Sequence, residues 1–219
     1  MSNLSLYHKT SKKASSLSLS LRANTSSHRQ RGFTIVELLI VIVVIGILAT
    51  ISIVAYNGIT QKAKNTAIIN AASQSLRMIE AYVAQYGTYP YSNLGSGWGC
   101  ITTDVICTWD EGSVIGAVAT FRDNMAKIGT LPKTVPVSGS SGNGVIMSYS
   151  SSYHDQDGAS TPFTLQYWLL GTNQKCGVNG VVVKSGSILT PSTTGYTLGN
   201  AVGNTKTWCI ISVPGPVHS

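Results

Sequence analysis

The longest solid apolar run covers residues 33–55, FTIVELLIVIVVIGILATISIVA, and Glu37 is its one charge. A helix of that length rises about 35 Å, enough to cross the ~30 Å hydrocarbon core of a bilayer. From residue 56 the pattern turns from solid to periodic. Ile69, Ala72, Leu76, Ile79, Val83 and Tyr86 recur three or four residues apart, which places them on one stripe of a helix. Lys62, Lys64, Asn65, Asn70, Gln74 and Arg77 fall largely elsewhere around it. No proline precedes Pro90. The pattern therefore predicts one helix over residues 33–86, about 80 Å long, closed by Gly87 and Pro90. Its stripe needs a cover, and the rest of the chain is the available one.

Beyond residue 90 the pattern breaks into short pieces. Val114, Ala117, Val118, Phe121, Met125 and Ile128 have helical spacing, ended by Gly129 and Pro132. Residues 145–150, 163–170, 181–184 and 207–212 read as strands, with 154–159 as a hairpin turn. In the second of these, Phe163, Leu165, Tyr167 and Leu169 alternate with more polar neighbours, as a half-buried strand should. The expected class is α+β: a long helix, half of it membrane-embedded and half amphipathic, packed on a small antiparallel sheet. The organisation read from the chain is a basic leader at 1–32, an apolar helix at 33–55, its amphipathic continuation at 56–89, and an α/β head at 90–219. No internal repeat is present.

Charge changes this picture in one respect. The net charge is +7, which invites a nucleic-acid reading. Residues 1–32, however, hold Lys9, Lys12, Lys13, Arg22, Arg29 and Arg31 and no acid, so the basicity belongs to the leader. The rest has nine Lys/Arg against eight Asp/Glu. Lys62, Lys64 and Arg77 are then a solvated helix face before they are a DNA contact. Positive charge flanks only the N-terminal side of the apolar run, which puts that end in the cytoplasm.

All four cysteines, Cys100, Cys107, Cys176 and Cys209, lie C-terminal to that run. An even count on the far side of a membrane segment points to disulfides in an oxidising compartment. Three pairings are open to four cysteines. Nearest-neighbour pairing, Cys100 with Cys107 and Cys176 with Cys209, is the expectation taken forward. The spacing and the lack of a nearby His argue against zinc.

The string Arg31-Gly32-Phe33-Thr34-Ile35-Val36-Glu37-Leu38-Leu39 resembles the prepilin signal of type IV pilins and type II secretion pseudopilins. The resemblance implies the type IV pilin fold and a set of partners: a prepilin peptidase, other pilin subunits and an inner-membrane assembly platform. It implies cleavage after Gly32, N-methylation of Phe33, and use of Glu37 in assembly. Tyr86-Gly87-Thr88-Tyr89-Pro90 is similar to the helix exit of pseudopilins and many Gram-positive-type pilins, and the segment bounded by Cys176 and Cys209 resembles the pilin D-region. Val54 stands where many pilins carry a proline. Physical chemistry supports the same reading. A carboxylate at the bilayer centre costs roughly 2.5–3.5 kcal/mol on insertion scales, and cleavage at Gly32 would create an ammonium at Phe33 within reach of Glu37. Snorkelling towards the headgroups is the plainer account of a lone Glu37, and Gly-Phe-Thr-x-x-Glu directly after a basic leader favours the assembly reading over it.

Other signals are weaker. Asp155-Gln156-Asp157-Gly158 has the form of a short calcium loop, but no acid follows at EF-hand spacing and a Gly-containing turn accounts for it. Trp98, Trp109, Trp168 and Trp208 fit a core better than a carbohydrate-binding set. No nucleophile elbow, phosphate loop, HExxH or CxxC is present, and no cofactor is implied. The expected role is structural, a major or minor pilin. The alternative is a pseudopilin of a type II secretion or DNA-uptake pseudopilus.

Overall fold

The computed structural model describes residues 32–91, 96–102, 107–109, 114–133 and 141–215. It forms two compact units, one ending at Ile47 and one beginning at Leu48. With no proline to interrupt it, helix α1 runs over Ile35–Tyr86, 52 residues, passing unbroken through Val54. It ends where Gly87 takes φ 67° and its N–H donates to the carbonyl of Val83 at 2.8 Å. That is the left-handed C-terminal cap that glycine favours.

The second unit contains β1 (Ser96–Cys100), β2 (Cys107–Thr108), β3 (Val114–Ile115), α2 (Ala119–Ala126), β4 (Val145–Ser150), β5 (Phe163–Leu170), β6 (Val182–Ser185), β7 (Ile188–Pro191), β8 (Leu198–Ala201) and β9 (Lys206–Ser212). Five of these strands make one antiparallel sheet in the order β1-β4-β5-β9-β8. β6 and β7 form a hairpin and β2 pairs with β3. A long helix packed on an antiparallel sheet is the α+β arrangement of the type IV pilin fold. Strands β4 and β5 have the expected bounds, β6 is shifted by one residue and β9 starts one residue early.

The buried stripe of α1 is Asn65, Ile68, Ala71, Ala72, Ser75, Leu76, Ile79, Tyr82 and Val83. Ala72, Leu76, Ile79 and Val83 are buried as the pattern predicts, and the face is wider than predicted, taking in Asn65, Ile68, Ala71, Ser75 and Tyr82. At its edges the prediction is corrected: Ile69 is only half-buried, and Tyr86 lies outside, tilted against Tyr82 at 4.5 Å with the Lys127 ammonium 5.5 Å from its ring centre. Small residues account for the added width. Ala71, Ala72 and Ser75 let the helix axis approach the sheet, where larger side chains would hold it off. Asn65 ties helix to sheet directly. Its amide donates to the Leu170 carbonyl at 2.9 Å and accepts from the Leu170 N–H at 2.8 Å, and Gln61 donates to the same carbonyl at 2.9 Å.

The second predicted helix is shorter than its pattern. Val114–Ile115 is a strand, and Ala117 bridges Cys100. Two β-branched residues between Gly112 and Gly116 prefer extended backbone, and Cys107, on the partner strand, is bonded to Cys100. Within α2, Phe121 and Met125 are fully buried as their spacing requires. β5 is also corrected: Thr164, Gln166 and Trp168 are as buried as their alternates. A second layer covers that face, with Ile210 and Trp208 packed on the β6–β7 hairpin through Val182 and Leu189, and Trp109 lying against Trp168.

The disulfides are Cys100–Cys107 and Cys176–Cys209. The first lies on the outer face of the sheet, where Gly144 at φ +83° admits the Cys107 sulfur to a position a Cβ would occupy. The second lies in the main core, and Tyr167 donates its hydroxyl to the Cys176 carbonyl at 2.7 Å. Sequence separations of 7 and 33 residues correspond to about 2.4 and about 3.7 kcal/mol of loop-closure stabilisation. Replacing both Cys176 and Cys209 by Ser should therefore lower the denaturation midpoint more than replacing Cys100 and Cys107. Equal losses in urea unfolding would contradict this.

Two phenols are held un-ionised. Burial, with a smaller contribution from Tyr149, pushes Tyr89 up to about 12, and burial raises Tyr167 well above its ordinary 10.0. A raised phenol favours the folded state fully below the unfolded pKa of about 10, and that stability drains away as pH climbs through the folded values. Alkaline titration should show tyrosinate absorbance from these two groups rising together with loss of circular dichroism. Smooth titration of all tyrosines on an intact fold would refute it.

Candidate functional site

The first turn of α1 is built by Thr34 and Glu37. Thr34 directly precedes the helix. Its N–H and hydroxyl donate to Glu37 Oε2 at 3.0 and 2.9 Å, and the Glu37 N–H donates back to Thr34 Oγ1 at 3.2 Å. This is a reciprocal capping box, in which the two side chains satisfy otherwise orphaned backbone donors. It also sets a carboxylate at the positive end of the helix dipole. Thr34 was missed as a functional residue by sequence reasoning, although Thr-x-x-Glu ahead of an apolar run is its signature. Gly32 and Phe33 precede the cap in exposed backbone, with Phe33 82% exposed and, among the described residues, no heavy atom within 4 Å of a Cβ placed on Gly32. The described structure thus brings Gly32, Phe33, Thr34 and Glu37 together within one accessible turn.

Along α1 after the cap, residues 35–59 expose their apolar side chains all around the helix. Ile35, Val36, Leu38 and Ile51 are each more than half exposed, and nothing else in the described chain covers them. The helix is long and apolar enough to cross a membrane. Its polar interruptions are satisfied internally, as where the Ser52 hydroxyl donates to the Leu48 carbonyl at 2.7 Å. An apolar surface of this extent marks a membrane or protein interface.

The remaining candidates resolve as structure. Asp155 Oδ1 accepts from the N–H groups of Asp157 (3.0 Å) and Ala159 (2.8 Å), which closes the turn between β4 and β5. Among the described residues no group of three His, Cys, Asp or Glu is placed to hold a metal ion. The four tryptophans meet on the outer face of the sheet. Trp109 stands edge-on to Trp98, Trp168 and Trp208 at 4.6, 5.3 and 5.5 Å, beside the Cys100–Cys107 disulfide. Only Trp98, 39% exposed, reaches the surface to that extent.

The capping box predicts a measurable loss. Thr34→Val keeps the shape but removes the hydroxyl, at about 1 kcal/mol for a lost cap. In micelles, amides of residues 35–38 should exchange several-fold faster, with those near residue 76 unchanged. Unchanged exchange in the first turn would show that the cap does not hold the helix start.

One comparison with known proteins falls on the same segment. The family described as Prokaryotic N-terminal methylation motif matches residues 27–53. A type IV major pilin protein PilE1 of Neisseria gonorrhoeae is 33% identical over 76 residues, 35% of this chain and 46% of that protein. The fimbrial protein EcpC of Eikenella corrodens is 28% identical over 121 residues, 52% of this chain and 78% of its own. A fimbrial protein of Neisseria meningitidis is 35% identical over 68 residues, 31% of this chain and 40% of its own. The chain thus spans less than half the length of the Neisseria proteins it matches. No solved structure matches it. With the methylation motif falling on the capped, exposed turn and the helix continuing onto an antiparallel sheet, the chain resembles type IV pilins and fimbrial proteins.

Proposed function

We propose that the chain is a structural subunit of a type IV pilus, assembled through its apolar helix. The observation that carries this reading is α1 itself, apolar and exposed on all sides over residues 35–59 with Glu37 its one charge. The precursor is held in the cytoplasmic membrane by residues 33–55 as a single span, N-terminus inside, with residues 90–219 as a head on the far side. A prepilin peptidase removes residues 1–32 by cutting after Gly32 and methylates the amine of Phe33. The inner-membrane assembly platform then passes the subunit into a filament of like subunits. The role is structural, not enzymatic.

Glu37 has two successive partners in this scheme. In the precursor the Thr34 cap neutralises part of its hydrogen-bonding demand. After cleavage the new ammonium at Phe33, on the same subunit or a neighbour, pairs with the carboxylate. Within a core of packed apolar helices only one stagger neutralises that charge, so Glu37 sets axial register, as a single buried polar residue does in a coiled coil.

The test is the N-terminus of the protein taken from membranes of cells that contain a prepilin peptidase, read by intact and peptide mass. A chain beginning at N-methylated Phe33 is expected. Glu37→Ala should still be processed but yield few or no filaments. An intact leader, or a cut near Ala55, would overturn the reading.

A further inference from the structure

Among the described residues, the end of the second unit where Gln61 and Asn65 meet β5 carries cations and no acid. Between Glu37 and Glu80 the charged residues are Lys62, Lys64 and Arg77. The direction of β5 fixes which loops join them. β5 starts at Phe163, stacked on Tyr89 beyond the helix exit, and ends at Leu170, bonded to Gln61 and Asn65. The loop after Leu170 therefore delivers Lys175 to the Lys62 end, while the turn before Phe163 takes Asp155 and Asp157 to the opposite end. Lys62, Asn65, Asn173, Gln174 and Lys175 line a groove of about 570 Å³ there. The Lys62 ammonium has no partner among the described residues, and Lys175 donates to the Thr194 carbonyl, an uncharged acceptor. The groove's lining thus holds two lysines and no carboxylate, beside apolar surface from Ile69 and Leu169.

On the proposed anchoring by residues 33–55, Lys62 lies about 10 Å along the helix past Ala55. Headgroup layers add roughly 5–8 Å to each side of the hydrocarbon core, so a lysine side chain there reaches phosphate height. We propose that this groove takes the phosphate of an anionic lipid headgroup, held between Lys62 and Lys175 with the Asn173 and Gln174 amides beside it. The inference rests on the anchor reading. A carboxylate from a second copy is the weaker fit. Of the acids at the other end, Asp123 adjoins Arg122 in α2, and the turn that holds Asp155 and Asp157 lies by Tyr153, whose ring Lys184 covers at 4.8 Å. That end therefore presents mixed charge, whereas a leaflet rich in anionic lipid presents one sign and draws each nearby lysine.

The experiment is hydrogen exchange on the full chain in nanodiscs of phosphatidylcholine, alone or mixed with phosphatidylglycerol. Phosphatidylglycerol should slow exchange over residues 58–66 and 171–176 at low salt, and high salt should reverse this. Each lysine removed should weaken the effect about fivefold. Lys62→Gln with Lys175→Gln should therefore abolish it, while Arg122→Gln leaves it intact, and unchanged exchange in β5 certifies the fold of each variant. The proposal is overturned by equal protection in both lipids or by protection that survives the double variant. It is equally overturned by protection reproduced with inorganic phosphate in phosphatidylcholine, or by protection that follows subunit density instead of lipid. Fast exchange over residues 36–55 would remove the anchor and the headgroup site with it. A protected anchor beside an indifferent groove removes the site alone.

Discussion

Packing of the α1 stripe on the sheet takes Ile68, Leu76, Ile79 and Val83 out of water, and each fully buried aliphatic side chain contributes about 1.5–3 kcal/mol. The other features of the second unit follow from making that contact close. Ala71, Ala72 and Ser75 bring the helix axis near the sheet. Asn65 then spans the short remaining distance to both backbone groups of Leu170, which end β5 and would otherwise be orphaned against the helix. A larger residue at 71 or 75 would lift the helix and break those bonds, so small residues on the stripe and a polar one at its end are one device.

The N-terminal end of the same helix is governed by a different constraint. No side chain in the described chain covers residues 35–59, so their apolar surface has to be met by lipid or by other helices. In such surroundings an unpaired carboxylate is expensive, and the Thr34 cap gives the Glu37 carboxylate two hydrogen bonds within one turn while its N–H donates back to Thr34. The residue that looks most out of place in the apolar run is thus accommodated locally, before any partner arrives. Cleavage after Gly32 would add a positive charge next to an existing anion acceptor instead of creating a new site.

Much of this was legible in the chain. The solid apolar run, the periodic stripe and the absence of proline read out α1 to its last residue, because helix periodicity and breakers act locally. β4 and β5 were read within their observed bounds for the same reason. The full width of the stripe was not, since Asn65 and Ser75 are buried by what they face and not by their own hydropathy. The strand at Val114 was hidden because its pairing depends on a bridge from Cys100 to Cys107, a contact that spacing alone leaves among three choices. Burial of Gln166 and Trp168 was hidden because the cover on β5 comes from β6, β7 and Trp109, remote in sequence. Of the site, Gly32, Phe33 and Glu37 stood out as a motif, whereas Thr34 passed as an ordinary polar residue until its bonds to Glu37 were seen.

That second layer bears on how the two ends of the chain divide their work. A sheet with one face on a helix and the other bare would have left Ile146, Ile210 and two tryptophans in water, an invitation to associate through the head. Here the outer face is closed by the β6–β7 hairpin, by Trp109 and by the Cys100–Cys107 disulfide, and these residues are buried within one chain. The described part of the head thus buries much of its apolar surface on both sides of the sheet, with Trp98, Val114, Ile188 and Leu198 left at its surface. The first turns of α1 satisfy none of theirs. On the proposed assembly, association through the helix is then favoured by area, and the described head contributes a smaller exposed apolar surface.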